Sequence, residues 1–145
     1  MSLPASIVFP DTREGQTMRR YVLAQTDASL FDKDATPIFA ENVVFNGLLF
    51  KMKGRDNVVP LVAEFVKKEL ASVRFEAVVE AGSKTRYMAM YFVRLTGQEI
   101  ELPVCDLLTI DDDGLIVRLE NCFDTTKIPQ AIIDAGAPSL AAFVE

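Results

Sequence analysis

Apolar residues recur along this chain at two different periods, and the change falls near residue 71. Upstream of it, Met18, Tyr21, Val22 and Gln25 lie three and four residues apart, on one face of a helix. Asp11, with Glu14 three residues later, predicts the N-terminal cap of that helix. A second short helix is expected to start between Asp34 and Pro37, because proline suits a first helical turn, and to carry Ile38 and Phe39 inward. Residues 42–46 read as a strand ending at Gly47. A third helix opens at Gly54-Arg55-Asp56-Asn57 and runs to about Leu70, with Val58, Leu61, Val62 and Phe65 as its apolar stripe. Pro60 limits how early that helix can begin, since a proline deep inside a helix costs ~3 kcal/mol.

Beyond residue 71 the period becomes two. Val73, Phe75, Ala77, Val79 and Ala81 alternate with Arg74, Glu76, Val78 and Glu80. Turn residues at Gly82-Ser83-Lys84, Thr96-Gly97-Gln98 and Asp111-Asp112-Asp113-Gly114 divide residues 71–123 into four consecutive strands. Hairpin-length links make these an antiparallel meander, and the helices precede it. The fold class is therefore α+β: N-terminal helices packed on a curved, mainly antiparallel sheet. A short helix is expected from Ile128 to about Ala135, ended by Gly136.

Composition narrows the functional classes. With 145 residues, half of them apolar, the chain reads as one domain over 1–145 with a sizeable core. A net charge of −6 argues against nucleic acid, whose phosphates need a basic face. No stretch approaches the ~20 apolar residues of a membrane span. Pro4 and Pro10 interrupt the apolar N-terminus, which has no basic lead, so the expected compartment is the cytoplasm. Cys105 and Cys122 fit it as free thiols; on adjacent strands they sit directly opposite or one diagonal step (~7–8 Å) apart. Histidine is absent, which excludes Ser-His and Cys-His nucleophiles and His-ligated metals. No cofactor or metal motif is present, and the triple aspartate at 111–113 lacks the ligand spacing of a calcium loop.

Asp106 carries the most chemical information. It follows Ile100, Leu102 and Val104 at two-residue spacing and precedes Leu108 and Ile110, so a carboxyl lies in register with an apolar strand face. It is either buried there or paired with an arginine at a half-buried edge. Tyr21 shares a helix face with Met18 and Val22, as a core residue with a satisfied hydroxyl or as part of a site. Asn46 precedes a turn glycine, a place where asparagine usually forms the turn, or it belongs to a site. Residues 85–95 are apolar on both faces, which predicts a homodimer covering the outer side of the sheet.

Four segments together resemble a known family. They are Arg19-Arg20-Tyr21-Val22-Leu23-Ala24, Phe39-Ala40-Glu41-Asn42-Val43-Val44-Phe45-Asn46-Gly47, Gly54-Arg55-Asp56, and residues 104–116 closing at Phe123-Asp124. Over residues 12–126 the chain resembles the SnoaL-like branch of the NTF2-like superfamily, with its ketosteroid isomerase-like members. The resemblance implies a cystatin-like cone holding a small hydrophobic carbonyl compound, with no cofactor and homodimeric assembly. It implies that Tyr21 and Asp106 act as oxyanion donors, the aspartic acid being held neutral by an apolar site. Asn46, Phe39, Phe65, Val104 and Leu108 would contact the substrate. Asn46 stands at the position of the family's usual base, and an amide cannot accept a proton at neutral pH. Glu41, Asp56 or Glu120 would have to reach the pocket to replace it. The Asp-Arg-Asp set of limonene-epoxide hydrolase, a related enzyme, is missing. Three readings follow: an isomerase-, cyclase- or dehydratase-type enzyme, a non-catalytic binding protein, or a structural dimer whose pocket is filled by its own side chains.

Overall fold

The computed structural model describes residues 3–32 and 37–134. Helix α1 (Arg13–Ala24) buries Met18, Tyr21, Val22 and Gln25, the face given by its sequence spacing. Its cap is Thr12 rather than Asp11: the Thr12 hydroxyl accepts from the Gly15 amide at 3.0 Å. A threonine side chain one residue later meets the same need for an N-terminal acceptor.

A 3-10 turn follows at Ala28–Asp32. Where a short helix is expected to start, between Asp34 and Pro37, residues 34–36 lie outside the described residues. Ile38 and Phe39 are buried as anticipated, but Phe39 already opens strand β1 (Phe39–Asn46). A three-residue strand, β2 (Lys51–Lys53), pairs antiparallel with β1 and was too short to register as a pattern.

Helix α2 (Arg55–Glu69) runs through Pro60, which stands in its interior instead of limiting its start. The ring is solvent-exposed, and the helix is held by burial of Val58, Val62 and Val66. Tertiary packing outweighs a local preference here.

The meander follows as β3 (Leu70–Glu80), β4 (Arg86–Leu95), β5 (Glu101–Ile110) and β6 (Ile116–Cys122). Sheet order is β2-β1-β6-β5-β4-β3, with β1 and β6 parallel and every other neighbour antiparallel. Leu102, Val104, Asp106, Leu108 and Ile110 all face the core, whereas Ile100 is 61% exposed and lies in the turn before β5. Gly114 adopts φ 79° in the β5–β6 turn, where Asp111 accepts from the amides of Asp113 and Leu115. Cys105 and Cys122 are directly opposite one another as free thiols. Residues 130–134 are helical; Ala135 and Gly136 lie outside the described residues.

The core lies between the helices and one face of the sheet. On β4, Tyr87, Ala89, Tyr91, Val93 and Leu95 are buried on that face, while Met90 on the other is 49% exposed. No helix among the described residues is long and apolar enough to cross a membrane.

Candidate functional site

Three elements bring polar groups together in an otherwise apolar interior. Tyr21 projects from the buried face of α1, Tyr91 from the inner face of β4, and Asp106 from the inner face of β5. Tyr21 donates its hydroxyl to Asp106 Oδ2 at 2.6 Å, and Tyr91 donates to the same oxygen at 2.8 Å. Asp106 Oδ1 is buried without a partner. Phe39 meets the Tyr21 ring edge-on at 6.3 Å, and Phe75 packs against Tyr91 with centroids 4.8 Å apart, so both phenols are braced by aromatic neighbours.

Burial governs the electrostatics. Asp106 is 1% exposed, and desolvation raises its pKa from 3.8 to about 6 against the opposing pull of the two phenol hydrogen bonds. Both tyrosines are pushed well above the usual phenol range, first by burial and then by the neighbouring carboxylate. At neutral pH the cluster is therefore one carboxylate receiving two intact phenol protons. No cation is among its partners.

Tyr21 and Tyr91 form part of the wall of a cavity of about 70 Å³ between α1, α2 and the sheet. Its lining is mostly aliphatic and aromatic; Gln25 and Asn121 are the other polar side chains. Among the expected site residues, Tyr21, Phe65 and Val104 line it. Asp106 stands behind the two phenols instead of in the wall. Phe65 and Leu61 line this cavity and are half-buried.

Three expectations are corrected. Asn46 does not line the cavity: Phe45 does, and strand alternation turns the next side chain to the other face. Leu108 is fully buried in the core, two residues past Asp106 along β5 and away from the cavity wall. Phe39 supports Tyr21 from behind without reaching the cavity. The proposed replacement bases are also elsewhere. Glu41 is solvent-exposed and pairs with Arg55 at 3.6 Å; Asp56 is exposed; Glu120 pairs with Arg118 through a 3.1 Å contact. No carboxylate lines the cavity among the described residues.

Tyr91, Gln25 and Asn121 are the polar lining residues that sequence reasoning did not assign to the site. A signal existed for two of them. Gln25 follows Tyr21 by one helical turn on the apolar face, and Tyr91 shares strand parity with the buried Tyr87, Ala89 and Val93. Asn121 lies opposite Asp106 in the β5–β6 register, which only the turn geometry reveals.

A SnoaL-like domain matches residues 18–119, a span that begins within α1, contains α2 and β1 to β5, and ends within β6. The chain belongs to the SnoaL-like family. Among curated proteins, no sequence matches this SnoaL-like chain. Solved structures share its fold at low identity. A steroid delta-isomerase from Pseudomonas aeruginosa is 16% identical with a TM-score of 0.67, over 97% of this chain and 94% of that one. An epoxide hydrolase of M. tuberculosis, described as LEH-like, is 15% identical with a TM-score of 0.62, over 92% and 98%. A protein with a cystatin-like fold from Silicibacter pomeroyi is 22% identical with a TM-score of 0.61, over 87% and 83%. The SnoaL-like chain thus has the cystatin-like NTF2 fold that the sequence resemblance implied.

Proposed function

We propose that this SnoaL-like protein binds a small, largely apolar molecule in the cavity, with an oxygen function of the ligand held against Tyr21 and Tyr91. The observation that carries this reading is the convergence of two wall phenols on one buried carboxylate oxygen. An apolar cavity with a few fixed polar groups is the usual form of a small-molecule site. Because each phenol gives its proton to Asp106, each turns oxygen lone pairs toward the ligand. This differs from the oxyanion-donor arrangement, in which Tyr21 and a neutral Asp106 would both donate to a carbonyl. That arrangement needs Asp106 protonated, a state populated below about pH 6.

A second reading is proton-transfer catalysis, and one observation favours it. A carboxyl raised to about 6 is placed well for accepting a proton near neutral pH. A proton leaving the ligand would arrive at a phenol oxygen as that phenol's own proton passes to Asp106 Oδ2. Asp106 would then supply the basicity that Asn46 cannot. The neighbouring steroid delta-isomerase fold is compatible with such chemistry and does not carry it, since fold alone does not specify activity.

Calorimetric titration with para-ethylphenol and ethylbenzene tests the binding reading. The wild type should prefer the phenol by about tenfold or more, the range expected when a buried polar group would otherwise stay unpaired. Tyr21→Phe and Tyr91→Phe should each reduce that preference. Equal affinity for both probes, or a preference unchanged in the variants, would count against it.

A further inference from the structure

Gln25 closes α1 at its C-terminal cap, four residues after Tyr21, so the two side chains leave the helix on the same side about 6 Å apart at their Cβ atoms. It is 5% exposed, lines the same cavity, and its amide nitrogen Nε2 is buried with no hydrogen-bond partner. Such orphaned donors are rare in folded proteins because each forfeits its hydration without return. Structural need does not explain it. The cap's backbone is already satisfied through the Gln25 amide to Val22 and Leu23 carbonyls, and an apolar side chain would fill the space without the penalty.

The polar groups of the cavity wall are complementary in kind. At Tyr21 and Tyr91 the protons point away to Asp106, leaving acceptors. At Gln25 an N–H is left without an acceptor. We infer that Gln25 is a ligand-binding residue whose amide nitrogen takes a carbonyl oxygen, so that the cavity selects a hydroxy-carbonyl compound with its hydroxyl against Tyr21 and Tyr91. The inference rests on the binding reading above and adds the second contact and the ligand class. The rest of the lining is apolar apart from Asn121, with Val62, Phe65 and Val104 among it, which suits the hydrocarbon part of such a ligand.

Three probes separate the contacts: para-hydroxyacetophenone carries both groups, para-ethylphenol lacks the carbonyl, and acetophenone lacks the hydroxyl. Calorimetry on the wild type should show para-hydroxyacetophenone binding about tenfold or more tighter than either single-function probe. Gln25→Leu and the more flexible Gln25→Met should abolish the advantage of para-hydroxyacetophenone over para-ethylphenol. Both unliganded variants should be at least as stable as the wild type, because an unpaired donor has been removed. If para-ethylphenol binds but the carbonyl adds nothing, or its advantage survives in both variants, the Gln25 assignment is overturned and the tyrosine site stands. If none of the three probes binds, the cavity reading fails with it. A loss of stability in both variants, with the carbonyl preference intact, would make Gln25 a structural residue.

Discussion

At Asp106 burial and hydrogen bonding pull the carboxyl's titration in opposite directions, and burial wins. The two phenol bonds favour the charged form, yet with Oδ1 unpartnered the pKa still rises from 3.8 to about 6. The consequence for stability has a definite sign. The folded state binds this proton more tightly than the unfolded chain, so the contribution is complete below about pH 4. It is lost as pH rises toward about 6 and is flat beyond that. The loss amounts to roughly 3 kcal/mol. Asp106→Asn keeps the shape and removes the titration. Its stability relative to the wild type should therefore improve by roughly that amount between about pH 4 and about pH 7.5, read from urea denaturation at the two pH values. A difference that stays constant, or an asparagine variant that falls behind at the higher pH, would mean the charge is favourable where it sits. The sequence placed Asp106 on the apolar face by parity alone. It left open what the carboxyl meets there, since its partners come from α1 and β4, distant in the chain.

Elements with a strong period were readable in advance, and those set by close contact were not. The four strands from Leu70 to Cys122 follow two-residue alternation, and the buried face of α1 follows three- and four-residue spacing. Strand β2, the passage of α2 through Pro60 and the turn position of Ile100 depend on neighbours that no local pattern encodes. Gly15 shows the distinction within α1. On helix propensity alone, Gly15→Ala should stabilise by roughly 1 kcal/mol. In the fold, a Cβ at that position would run into the carbonyl oxygen of Pro10, which crosses the start of the helix. Backbone cannot yield as a flexible side chain can, so the clash should win. We expect a net loss of about 1–3 kcal/mol in chemical denaturation, the usual range for overpacking. A gain in stability would show that residues near Pro10 do not pack against α1 as described.

For the whole molecule, the arrangement of layers puts the site where it is. The helices and the inner sheet face enclose a core that is closed around Met18, Val22 and Leu108, and open to a cavity on the side of Leu61, Phe65 and Phe50. Tyr21 and Tyr91 stand at the boundary between the two, with Asp106 on the core side. On the proposed binding reading, ligand binding and titration become one coupled event. A ligand hydroxyl that donates to a phenol oxygen makes that phenol a stronger donor to the carboxylate, because hydrogen bonds in a chain polarise one another. The ionised form of Asp106 then gains, and its pKa must fall when ligand is bound. Carboxyl-resolved NMR titration of Asp106, free and saturated with para-ethylphenol, tests this directly. The account predicts a midpoint of about 6 in the free protein and a lower one in the complex. An ordinary aspartate midpoint in the free protein, or one that saturating ligand leaves unmoved, would contradict it.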